Sequence, residues 1–208
     1  MAKTAHYYVQ FDSDCYYHIY NRTVDKKPMF RSEGNCVYFM NQYQKYLSEV
    51  VTTYSYALCG NHFHFGVKIN PIKDLGAFSS VHSLVSHQFR LFFLSYAKAF
   101  NKERNRVGTL FQTPFKRCPV NSEEKLIRLI FYHHANPQRH RLCDDFRQYR
   151  WTSYQEYLKG EMCILPISEV YALMGGKQKF VEYHRQLHLA RRMRKNGSLR
   201  IEELLGAP

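Results

Sequence analysis

Residues 58 to 69, Leu-Cys-Gly-Asn-His-Phe-His-Phe-Gly-Val-Lys-Ile, alternate so regularly that they predict a strand with two unlike faces. Side chains of a strand point to opposite sides in turn. Phe63, Phe65, Val67 and Ile69 therefore share one side, and His62, His64, Gly66 and Lys68 the other. The first set is a core face. The second presents two imidazoles beside a glycine that leaves space above the sheet, which suits a divalent metal held through neutral ring nitrogens. The His-x-His spacing alone equally describes the surface of an amphipathic strand; its weight comes from the alternation it sits on.

Such a strand needs partners and a layer over its apolar face. Cys15 to Arg22 predict an aromatic-rich first strand, followed by a turn at Val-Asp-Lys-Lys-Pro. Val37, Phe39, Met40, Tyr43, Tyr46 and Leu47 recur at helical spacing and predict a helix over 35–50, with a second strand over 51–59. Gly60-Asn61 is a tight-turn dipeptide into the histidine strand. Beyond Pro71, Val81, Val85, Phe89, Phe92, Phe93, Tyr96 and Phe100 predict a long helix over 75–101. Its following loop, 101–108, is basic and polar, either a nucleic-acid-touching connection or a plain solvated loop. Thr109 to Val120 read as extended, broken by Pro114. Short helices over 168–174 and 177–190 follow an irregular aromatic stretch at Trp151 to Tyr154. This order suggests an α+β sandwich, an antiparallel sheet with helices packed on one side.

The chain of 208 residues is long enough for one main domain, and it contains no apolar run of the roughly eighteen residues that a membrane span needs. The first residues lack a secretory signal's apolar core, so a cytoplasmic protein is expected. Its six cysteines, at 15, 36, 59, 118, 143 and 163, form no Cys-x-x-Cys pair and are expected to be reduced and mostly buried. A net charge of +13 points to a polyanionic partner, and nucleic acid leads because no basic amphipathic membrane anchor stands out. The 17 Tyr and 15 Phe also suit base stacking, although most must be core.

The helix after Asn121 is the second informative element. Asn121, three residues before Glu124, is a plausible cap; Leu126, Ile127, Ile130 and Phe131 form the expected buried stripe, and Pro137 is expected to bound the helix. At about 100° per residue, Tyr132 falls nearly opposite that stripe, with Lys125 and Arg128 near it in azimuth and Asn136 one turn on. The tyrosine is thus offered outside the helix in basic surroundings. If the histidine face lies beside it, a metal-assisted tyrosine nucleophile for a phosphodiester results, with Asn136 as a hard oxygen ligand suited to magnesium or manganese. His184 and His188, four apart on a predicted helix, mimic a metal pair, but no nearby residue completes a site.

These residues resemble the HUH single-tyrosine transposases, and within them the REP-associated tyrosine transposases. His62-Phe-His64 matches the His-hydrophobic-His motif, and Tyr132-His-His-Ala-Asn136-Pro137 the Tyr-x-x-x-Asn-Pro helix. Tyr20-Asn-Arg22, Gly108-Thr-Leu-Phe-Gln112, Phe115-Lys116 and Trp151-Thr-Ser-Tyr154 extend the likeness over about 14–185. Gly60 stands where a proline is usual, and His133 and His134 where hydrophobic residues are usual. The resemblance implies a ferredoxin-like fold and Mg2+ or Mn2+ held by His62, His64 and Asn136. It also implies cleavage and strand transfer of hairpin-flanked single-stranded DNA by Tyr132 through a 5′-phosphotyrosine. Arg22, Lys116, Arg117 and Arg128 are the candidate phosphate contacts. The implied organisation is a catalytic domain over 1–140, a helical extension over 141–190 and a basic tail over 191–208, in a monomer or homodimer with no membrane partner. The alternative is a former transposase that binds hairpin DNA or RNA without cutting it.

Overall fold

The computed structural model describes residues 9–160 and 164–193. Four strands, β1 (Tyr16–Arg22), β2 (Val51–Cys59), β3 (His62–Ile69) and β4 (Lys116–Val120), form one antiparallel sheet in the order β2-β3-β1-β4. With α1 (Glu33–Leu47) between β1 and β2 and α2 (Val81–Glu103) between β3 and β4, this is the ferredoxin-like βαββαβ arrangement. The expected strands and long helices all form. β2 and β3 join through Gly60-Asn61, where Gly60 takes φ +53°, a left-handed value that glycine adopts without strain.

One face of the sheet carries Tyr17, Ile19, Phe63, Phe65, Val67 and Ile69, all buried under α1 and α2 in the main apolar cluster. Tyr43 of α1 stacks on Phe65 at 4.0 Å between ring centroids and hydrogen-bonds the Thr53 hydroxyl at 2.7 Å. The phenol therefore ends among apolar groups with its one polar atom satisfied. Ser32 caps α1 by accepting from Asn35 N–H, and Ser80 and Ser83 form a reciprocal capping box on α2.

The other face is covered as well, so the expectation of helices on one side is corrected. α3 (Glu123–Arg139) lies over it, backed by a 3-10 turn (Phe146–Gln148), α4 (Tyr154–Lys159), α5 (Ile167–Met174) and α6 (Lys177–Met193), around a second apolar cluster that includes Leu126, Ile130, Tyr154, Tyr157 and Phe180. A helix with two buried sides has no single stripe, and this is why the periodicity concealed the second layer. The cap of α3 is Ser122 rather than Asn121, its hydroxyl accepting from Lys125 N–H. Nor does Pro137 end the helix: it omits one hydrogen bond, and the His140 N–H still closes on Asn136 O at 3.0 Å.

A bulge in β2 between Thr53 and Ser55 places both Tyr54 and Ser55 on the α3 side. Opposite Ser55, Gly66 permits the close approach of α3: a Cβ there would stand 2.7 Å from Ser55 Oγ and 3.3 Å from Leu129 Cδ2. The space above the glycine is thus filled by a helix. The cysteines among the described residues form no disulfide with one another; Cys36 and Cys59 are buried, Cys118 and Cys143 intermediate and Cys15 exposed, so fewer are core than expected. Among the described residues no helix is long and apolar enough to cross a membrane. Cys163 and most of the basic tail lie outside the described residues.

Candidate metal and nucleophile centre

The site lies where the central strands β1 and β3 pass beneath α3. Antiparallel pairing sets Tyr20 against His64, Arg22 against His62 and His18 against Gly66. The alternation that buries Ile19 and Phe65 therefore lines up His18, Tyr20, His62 and His64 on the α3 side. From above, α3 lowers Tyr132, His133 and Asn136, all buried. Tyr132, His62 and His64 share the wall of an open cavity of about 420 Å3, together with Tyr20, Arg22, Lys116, Arg139 and His140. The Tyr132 ring stands perpendicular to His64, with centroids 5.6 Å apart. Tyr132 is thus buried at 7% exposure, and what it faces outside its helix is the sheet.

Hydrogen bonds fix the chemistry of His62. Asn61 Nδ2 donates to Lys26 O, which turns Asn61 Oδ1 toward His62 Nδ1 at 2.8 Å. An amide oxygen only accepts, so Nδ1 carries the ring proton and Nε2 keeps its lone pair. That lone pair faces Asn136 Oδ1 at 3.4 Å, and Cys59 Sγ donates to the same oxygen at 3.5 Å. A cation between these two acceptors would relieve them, as would a half-turn of the Asn136 amide that brings its Nδ2–H to the lone pair. Asn136 Nδ2 is buried without a hydrogen-bond partner among the described residues. On His64, Nδ1 meets His18 Nε2 at 2.9 Å. Burial holds both imidazoles neutral: it pushes His62 down to about 4, with the His140 and Arg22 charges adding to it, and drives His64 well below its ordinary value, with His18, His62 and His133 adding. Neutral imidazoles are the ligating form, so His62, His64 and Asn136 suit a divalent cation.

A second set was not foreseen from sequence. The ligand-capable nitrogens of His18, His64 and His133 lie within 4.8 Å of one another, and all three side chains are buried. His133 Nδ1 contacts Ser55 Oγ at 2.8 Å. The alternation of β1 does place His18 on the same side as Tyr20, but only the β1–β3 register shows that this side is also His64's.

The four basic candidates separate. Arg22 and Lys116 line the cavity, and Lys116 Nζ lies 5.4 Å from the Tyr20 ring. Arg128 is exposed on α3 and does not line the cavity. Arg117 faces the opposite side of the sheet: its Nε donates to Val9 O, and its guanidinium lies 5.1 Å from the Phe11 ring and 5.4 Å from that of Phe115. A buried, engaged guanidinium cannot reach a phosphate, and this corrects the expectation for Arg117. In its place the cavity has Arg139, 5.6 Å from the Tyr132 ring, and His140, 4.5 Å from the His62 ring. Both fall in the basic run 138–141, the signal that could have located them. His184 and His188 turn to different partners: His184 meets His134 at 2.7 Å, and His188 meets Gln138 Oε1 at 3.2 Å. As a pair they build packing.

No protein-family model matches the sequence, and neither does any curated protein. The structure is similar to the solved structure of a REP-associated tyrosine transposase bound to a REP hairpin, with a TM-score of 0.56 and 13% identity, over 79% of this chain and 90% of that one. At that identity the likeness concerns architecture: the chain adopts the fold of that transposase.

Proposed function

We propose that the protein is an HUH single-tyrosine transposase of the REP-associated kind, which nicks and rejoins single-stranded DNA beside a hairpin. The observation that carries this reading is that Tyr132 shares one cavity wall with two histidines held neutral by burial. The fold likeness to a hairpin-bound tyrosine transposase supports it. A divalent cation, Mg2+ or Mn2+, held by His62, His64 and Asn136 supplies positive charge at the scissile phosphate when bound.

The chain's own residues do the rest. Tyr132 gives up its phenolic proton and attacks phosphorus, forming a tyrosyl O–P bond as the P–O3′ bond breaks; the departing 3′ oxygen takes up a proton. The 5′-phosphotyrosine keeps the energy of the diester, so a second 3′-hydroxyl can attack it, rejoin DNA and return the phenol. Arg22, Lys116 and Arg139 set positive charge at the cavity wall where the backbone lies. Arg128 extends that path along α3.

Labelled single-stranded hairpin oligonucleotides with Mg2+ or Mn2+, resolved on a denaturing gel, test the reading. A protein–DNA adduct that disappears in Tyr132→Phe and His64→Ala is expected. Tight hairpin binding with no adduct from the wild type in either metal makes the protein a non-cutting hairpin-binding module instead.

A further inference from the structure

The nitrogen-only histidine cluster beneath the proposed site is unlike the set at its surface. His18 and His64 come from neighbouring central strands and His133 from α3, and they are 0%, 6% and 0% exposed. Ring centroids are 5.2 Å apart for His18–His64, 4.9 Å for His18–His133 and 5.5 Å for His64–His133, a closed triangle. His133 Nδ1 is engaged by Ser55, and its buried Nε2 has no hydrogen-bond partner among the described residues. A bare buried ring nitrogen forfeits the hydrogen bond it makes in water, and a metal ion ligated there gives it a partner.

The donor chemistry selects the ion. Imidazole nitrogen suits zinc, cobalt, nickel and copper, whereas Mg2+ asks for oxygens and retained waters in an octahedron. Three buried imidazoles offer a tetrahedral ion three ligands and leave one position open. We propose that His18, His64 and His133 form a second metal site, for a borderline transition-metal ion such as Zn2+ or Co2+. Filling it excludes the cation held by His62, His64 and Asn136.

The exclusion follows from His64, which both sets need. Its Nδ1 faces His18, so an ion in the triad binds there, and a neutral imidazole has one proton and one lone pair. Ligation at Nδ1 leaves the one proton of the neutral ring on Nε2, so the ring has no second lone pair to give another cation. The exclusion rests on the proposed His62, His64 and Asn136 cation site; the triad does not.

Metal-stripped full-length protein is titrated with Co2+, read by its visible d–d bands, and separately with Mn2+, read by electron paramagnetic resonance. His133→Leu is expected to weaken Co2+ at least tenfold and leave Mn2+ binding in place, and His62→Ala to do the reverse. One equivalent of Zn2+ is expected to release bound Mn2+ from the wild type. X-ray absorption of the Zn2+-loaded wild type, which needs no variant to fold, is expected to count three imidazoles. Two imidazoles, or Co2+ bands that survive His133→Leu and vanish in His62→Ala, overturn the triad. Retained Mn2+ beside bound Zn2+ overturns the exclusion. If Mn2+ binds nowhere, the proposed transposase cation site fails, while the Co2+ and absorption results still judge the triad.

Discussion

Gly66 shows how much can hang on a missing side chain. Adding a methyl group there sets a carbon 2.7 Å from Ser55 Oγ and 3.5 Å from His133 Cε1, so either the Ser55 hydroxyl turns away from its contact with His133 Nδ1 or the layers move apart. Gly66→Ala is expected to cost about 1–3 kcal/mol, the usual range for overpacking, measured as a lower urea midpoint. Adding Ser55→Ala removes the nearest atom and is expected to recover part of that loss. An unchanged midpoint in the single variant would show that the layers are not in close contact here. At this scale the sequence disclosed placements that follow from a single strand or helix: His62 and His64 on one face by alternation, Tyr132 and Asn136 one turn apart by helical spacing. His18, His133 and Arg139 stayed hidden because their roles depend on pairing between distant segments. Arg117 misled for the same reason, since charge favours exposure and only the register of β4 against β1 turns it inward.

Among the elements, α3 is held on its outer side by a chain of hydrogen bonds whose directions follow from one carbonyl. His184 Nδ1 donates to Phe180 O at 2.7 Å, so its Nε2 must accept. His134 Nδ1 donates to that Nε2 at 2.7 Å, leaving its own Nε2 to accept from the Ser153 hydroxyl at 2.7 Å. Ser153 Oγ in turn accepts from Tyr56 N–H at 3.0 Å, so α6, α3 and β2 are joined. A proton on His184 Nε2 would face a donor. Burial pushes His184 down to about 3, whereas an unfolded histidine titrates near 6.5. The unfolded chain then binds the extra proton first. The stabilisation is complete above about pH 6.5 and is lost as pH falls toward 3, at about 1.4 kcal/mol per unit for this one group. Urea midpoints at several pH values between 7.5 and 5 should show this slope, reduced by that amount in His184→Gln; equal slopes would place the titration elsewhere. The two long helices and the histidine strand were legible because each carries one clean period. The second layer was not, because α3 is buried on two sides and α4 to α6 are short.

For the whole molecule, the charge of +13 divides into groups that can meet a polyanion and groups that cannot. Arg22 and Lys116 line the cavity, while Arg117 is used up inside the protein. If hairpin DNA binds as proposed, the logarithm of affinity falls linearly with that of salt concentration, by about 0.7 per phosphate neutralised on a single strand. Arg22→Ala and Lys116→Ala are each expected to flatten the slope by about that amount in fluorescence-anisotropy titrations. Arg117→Ala is expected to leave the slope unchanged and lower thermal stability instead. A slope that responds equally to all three would return Arg117 to the DNA surface. The antiparallel sheet was legible in the order of elements. Its coverage on both faces was not, because which helix lies on which side is decided by connections the local periods do not record.

Tyr132, His133 and His134 are consecutive on α3 and are used in three directions: into the cavity, down to the sheet and out to α6. Such a helix behaves as an axle clamped on both sides. A phenolic oxygen roughly 8 Å from a helix axis sweeps about 1.4 Å for a rotation of about 10°, and a misplacement of about 1 Å can cost a reaction about a hundredfold. No described residue of the C-terminal helices lines the cavity, yet the contact of His134 with His184 braces the helix that carries the tyrosine from behind.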